Sequence, residues 1–174
     1  IWLNGPQNEN VQLYVKALCE TTGARLIECS WNTGVWCRFA FCLHGFATQY
    51  VCVFDDDTVP GKRWLENCTT TCANRSPRLL GVNGVRFPNG TRVPREYIGP
   101  SNPSSHEQLA HIVGHAWFFN RTMLHAYLGA QRLQEFQTAG EDYHWGYVCQ
   151  KHGWPVIVPP HPPDDRELWG SLDL

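Results

Sequence analysis

No stretch of this chain approaches the ~20 consecutive apolar residues that a membrane-spanning helix needs, so the sequence gives no transmembrane segment. Charge is scarce: 17% of residues are charged and the formal net charge is −2, which argues against the basic field of a nucleic-acid or acidic-membrane binder. No secretory signal pattern opens the chain, and there is no internal repeat or low-complexity segment. CxxC pairs are also missing, although there are 8 cysteines. Spacings such as Cys37/Cys42 and Cys68/Cys72 therefore read as buried free thiols acting as small apolar residues, ahead of a zinc cluster or disulfide framework. Asn67, Asn74, Asn89 and Asn120 head N-x-S/T triplets, which matter only in a secretory compartment. The sequence leaves localisation open between cytosol and secretory lumen.

What is abundant is aromatic residue, 13% of the chain with 8 Trp. Some must be core; an excess of indole also suits a protein that stacks on sugar rings. The length, 174 residues, fits a single domain with a proper core.

The most informative segment is Tyr50-Val-Cys-Val-Phe-Asp-Asp-Asp-Thr58. Residues 50–54 suit a buried strand, and it ends in three carboxylates, Asp55, Asp56 and Asp57. Like charges at a strand end repel one another and are partly desolvated, which a cation relieves. Oxygen ligands on a short loop suit Mg²⁺ or Mn²⁺ with positions left open for phosphates. The bland alternative is a turn whose Asp and Thr side chains bond backbone N–H groups. Placement behind a buried strand favours the metal.

Periodicity and punctuation predict strands over residues 1–4, 24–29 and 50–54, alternating with helices over 11–20 and 35–46. Such β-α-β-α-β order implies parallel strands with right-handed crossovers. A helix over 62–71 follows, then strands 79–82 and 85–87 joined by a tight turn at Asn83-Gly84. Residues 100–105 read as a loop, 112–119 as an aromatic strand and 123–128 as a short helix. Gly140-Glu141-Asp142 opens a helix to about residue 150, and 154–158 is a final strand before a proline-braced tail containing His161.

These residues resemble a family. Ser30-Trp31-Asn32-Thr33-Gly34, then Arg38, then residues 50–57 resemble the N-x-G…R…D-x-D series of nucleotide-sugar glycosyltransferases with the GT-A fold. Gly114-His115-Ala116-Trp117-Phe118-Phe119-Asn120-Arg121 resembles their acceptor-side strand. Gly140-Glu141-Asp142 with Tyr147, Lys151 and Gly153 is similar to the helix carrying their catalytic carboxylate. The ordered set spans about residues 1–170.

The resemblance implies an α/β, Rossmann-like single domain over 1–174: a mostly parallel central sheet, helices on both faces, and a smaller antiparallel acceptor-side sheet. It divides the chain into a nucleotide-binding half, 1–83, and an acceptor or catalytic half, 84–174. It also implies that the first family strand is missing from the N-terminus. The implied activity is divalent-metal-dependent transfer of a sugar from a nucleoside-diphosphate sugar, by default a UDP-sugar, to a hydroxyl on a glycan or glycoprotein. Inverting transfer is expected, with a retaining outcome left open because the Asp-Asp-Asp-Thr loop also occurs in retaining enzymes. Two other classes stay open: a metal-dependent nucleotide-sugar phosphohydrolase, and a non-catalytic sugar- or nucleotide-binding relative.

Residue by residue, the resemblance makes Asp57 the direct ligand of Mn²⁺ or Mg²⁺, with Asp55 and a C-terminal His161 completing the shell. Asp55 also faces the ribose or base, Asp56 the sugar hydroxyls, and Arg38 the nucleotide or donor sugar; Asn32 belongs to the same nucleotide-side motif. Asp142 is the preferred base, with Glu141 beside it. A helix N-terminus lowers carboxylate basicity, whereas a neighbouring like charge and desolvation raise it. Trp117 is a candidate wall for a sugar ring, with Trp145 a second and core burial the alternative for both. Arg86, Arg92 and Arg95 flank a loop that could meet phosphate or an anionic acceptor, or simply solubilise the surface.

Overall fold

A computed structural model describes residues 1–88, 90, 94–132 and 139–173. Asn8 caps the first helix by accepting from the Asn10 N–H at 2.9 Å, and Gly23, left-handed at φ +70, closes it. That helix, α1 (Glu9–Thr22), lies between two short strands, β1 (Trp2–Leu3) and β2 (Ile27–Glu28), which pair in parallel with each other. Next come α2 (Cys37–Gly45), β3 (Tyr50–Phe54), α3 (Trp64–Cys72) and β4 (Leu79–Arg86). They are followed by β5 (Glu96–Ile98), β6 (Gln108–Ala110), β7 (Ile112–Asn120) and α4 (Met123–Gly129). The chain ends with α5 (Glu141–His152), β8 (Val156–Val158) and a short 3₁₀ turn at Arg166–Leu168.

The main sheet corrects the expected architecture. Its six strands run β3-β7-β4-β8-β6, with β5 on β4. Only β4–β8 is parallel; β3–β7, β4–β7, β4–β5 and β6–β8 are antiparallel. The central sheet is therefore mixed, and the separate small sheet, β1–β2, is the parallel one. The chain alternates strand and helix as far as β3, but β3 takes the distant β7 as its partner rather than β1 or β2. Parallel order follows from alternation only when successive strands are neighbours.

Both faces of the sheet are covered, which explains why its antiparallel strands read as continuous apolar runs. On one face Val53, Leu79, Trp117, Phe119 and Val158 pack with Phe39, Leu124 and Trp145 from α2, α4 and α5. On the other, Leu80, Val82, Phe118 and Ile157 pack with Trp64, Cys68 and Cys72 of α3. All eight cysteines are free, five of them buried.

A second correction concerns Asn83-Gly84, which lies inside the continuous strand β4 and makes no hairpin. Gly84 serves close packing instead: an added Cβ would sit 2.6–3.0 Å from Val158, Ile98 and Ala110 side chains. No helix among the described residues is long and apolar enough to cross a membrane.

Candidate metal and acid–base site

The acidic triplet follows β3 directly. Asp55 is held in register by its N–H donating to His115 O at 3.0 Å, and Thr58 Oγ1 donates to the same carbonyl at 2.7 Å. His115 lies where β7 bulges: Gly81 pairs with Trp117 and Asn83 with Gly114, so His115 and Ala116 face the single Val82. Such a bulge re-aims a side chain. His115 also takes φ +65, a left-handed conformation costing of order 1–3 kcal/mol outside glycine.

The outcome is a donor set. Carboxylate oxygens of Asp55 and Asp57 and a ring nitrogen of His115 all lie within 4.8 Å of one another. His115 Nδ1 is buried and has no hydrogen-bond partner among the described residues; its 3.6 Å separation from Asp57 Oδ1 is too long for a hydrogen bond. An ion with bonds of about 2 Å spaces opposite ligands about 4 Å apart, so small side-chain motions suffice to close the set on one. Two carboxylates and an imidazole suit Mn²⁺ better than Mg²⁺. Asp56 is exposed and outside the cluster.

Arg38, from the first turn of α2, ties this cluster to the other acidic pair. Its Nη1 donates to Asp55 Oδ1 at 2.5 Å and its Nη2 to Glu141 Oε1 at 2.8 Å. Beneath it, the Trp117 ring centroid is 4.6 Å from the guanidinium carbon, a cation–π distance. Trp117 is 2% exposed and its indole N–H donates to Val113 O at 3.0 Å, so it is the floor under Arg38 and no surface for a sugar. Trp145 is wholly core.

Glu141 and Asp142 occupy the first turn of α5, reached through Gly140 at φ +87. Asp142 accepts from the Tyr143 N–H at 2.8 Å. Burial pushes its carboxyl above the usual range and Glu141 adds to the rise, against backbone hydrogen bonds that lower it. Desolvation is the largest of these effects and exceeds the backbone hydrogen bonds at the start of α5.

His161, expected in the metal shell, is placed elsewhere. It is 1% exposed between Trp64 and Trp169. Nδ1 pairs with Pro159 O at 2.8 Å and Nε2 accepts from the Gly170 N–H at 3.1 Å. With both nitrogens engaged and burial pushing it down to about 4, the ring is a neutral core group. The sequence reading missed His115, although a lone histidine inside an otherwise apolar strand was a visible signal.

Asn32 is exposed, and its Oδ1 accepts from Gly34 N at 2.8 Å and Asn4 Nδ2 at 3.1 Å, shaping the loop before α2. That loop borders an open depression of about 520 Å³ with Trp36, Cys37 and Arg132, whose guanidinium carbon is 4.1 Å from the Trp36 ring centroid. Arg95 is exposed near Tyr97; Arg92, and Asn89 and Thr91 of the Asn89 triplet, lie outside the described residues. Asn67 spends its amide on Pro160 O and Leu168 O at 2.7 and 2.9 Å. A scan of protein families finds no match, and no curated protein matches the chain.

Proposed function

We propose that this chain is a divalent-metal-dependent glycosyltransferase, moving a sugar from a nucleoside-diphosphate sugar, by default a UDP-sugar, to a hydroxyl on a glycan or glycoprotein. The observation that carries this reading is the joining of two acidic groups through one side chain: Arg38 links the Asp55–Asp57–His115 donor set to Glu141, beside Asp142. The reading rests on the site and not on sheet order, because fold alone does not set function.

A divalent ion held by Asp55, Asp57 and His115 would neutralise the diphosphate leaving group. Asp142 is the base that takes the acceptor hydroxyl's proton, and its raised affinity for a proton suits that work. Glu141 is a positioning residue: bound to Arg38, it fixes the first turn of α5 against the end of β3. Arg38 keeps these carboxylates from repelling one another. The depression beside Asn32 supports seating the nucleoside there, since its lining residue Cys37 adjoins Arg38. A base on the acceptor side fits inversion.

The test is a labelled UDP-sugar panel assayed with and without Mn²⁺ and a hydroxyl acceptor. Transfer should require both, and Asp57→Asn and Asp142→Asn should each lower kcat roughly 10²-fold or more. Cleavage as fast without acceptor as with it would instead make the protein a phosphohydrolase.

A further inference from the structure

On the α3 face of the sheet, three strands from β3, lies a cavity of about 420 Å³. Arg78, Arg86 and Glu107 form its polar side, and Leu109, Pro155 and Ile157 its apolar side. Arg78 is only 9% exposed, yet it is poorly partnered. Among the described residues its Nε is buried without a hydrogen bond, and its one ion-pair contact, Nη1 to Glu107 Oε2, is 3.5 Å long. Glu107 is committed elsewhere, accepting from Arg75 Nη1 with both oxygens at 2.8 and 2.7 Å. Arg86 donates twice to Leu109 O and reaches Glu96 at 3.3 Å. Three guanidiniums thus share two carboxylates, leaving one positive charge on the cavity wall. A nine-tenths-buried arginine without a full partner is costly, and a guanidinium fork is matched by a planar or tetrahedral oxyanion.

We infer that this cavity is a second binding site, for a small molecule that presents a carboxylate or phosphate to Arg78 and lays an apolar part on Leu109 and Pro155. Glu107 repels such an anion, so the oxyanion sits on the Arg86 side of Arg78. The site shares no residue with the metal cluster and does not depend on the transferase reading.

The intact protein, isotopically labelled, is titrated with inorganic phosphate and separately with benzoate at constant ionic strength, following backbone amide resonances. Saturable shifts centred on Arg78, Gln108 and Leu109 are expected with at least one probe. Tighter phosphate binding assigns a phosphoryl ligand, and tighter benzoate binding a carboxylate on an apolar body. Leu109→Asp puts a carboxylate at the mouth on a side chain already 63% exposed, so it folds; it should weaken binding at least tenfold, as should Arg78→Gln. Asp57→Asn should bind as the wild type does. The inference is overturned if neither probe saturates, if the shifts map elsewhere, or if Leu109→Asp binds unchanged.

Discussion

At Asp142, burial and the Glu141 carboxylate act together to favour the protonated acid. A carboxyl whose folded pKa is raised contributes stability at low pH and loses it as pH rises through the raised value. At neutral pH the ionised group therefore weighs against the fold, and Asp142→Asn should keep or raise Tm while lowering kcat roughly 10²-fold or more. In the wild type, kcat/KM should fall on the acid side at a pH above the ordinary aspartate range. Calorimetry and a pH–rate profile check the two halves separately. His161 has the opposite character. Its folded pKa of about 4 lies below the ordinary 6.5, so its stability is complete above pH 6.5 and drains away as pH falls towards 4. His161→Ala strands Pro159 O and Gly170 N–H and opens a cavity, costing about 2–4 kcal/mol in denaturant unfolding. Metal affinity of the folded variant should stay at the wild-type value.

Among the elements, α5 positions Glu141 and the proposed base Asp142, and its placement depends on one close approach. A Cβ at Gly146 would lie 2.5 Å from His111 O, the backbone between β6 and β7. Gly146→Ala should cost about 1–3 kcal/mol and lower kcat further than the lost stability explains, because α5 moves relative to Arg38. Gly129→Ala, with open space around its Cβ, is the control and should be neutral or slightly stabilising. Elements of this kind were legible in the residues: β3 has the expected limits, and α5 starts beside Gly140 as its first-turn acids indicate. The hairpin at Asn83-Gly84 was misread because Asn-Gly signals a turn only where Gly needs a positive φ; Gly84 is instead required by side chains crowding it from other strands. His161 was misread for a related reason. A proline-rich tail looks exposed in one dimension, whereas Trp64 and Trp169 bury it.

For the molecule as a whole, strand order was the part the residue pattern did not contain. Because two cores cover the sheet, β3, β4, β7 and β8 show apolar residues on both faces, and such a run is the same for a parallel or an antiparallel partner. Pairing of β3 with β7 joins residues far apart in sequence, and it is this pairing that sets His115 beside Asp55. The candidate metal cluster is accordingly half legible: its carboxylates lie two residues apart in the chain, and its imidazole arrives through topology. Arg38 completes the joint from a third element, α2.

Asp55, Asp57 and His115 are proposed to grip one divalent ion beside a diphosphate. Anomalous diffraction from a crystal soaked in Mn²⁺ and UDP tests it most directly. A manganese peak is expected about 2 Å from an oxygen of each aspartate and from His115 Nδ1, with the diphosphate on its open side. A peak at another site, with this cluster left empty, would contradict it.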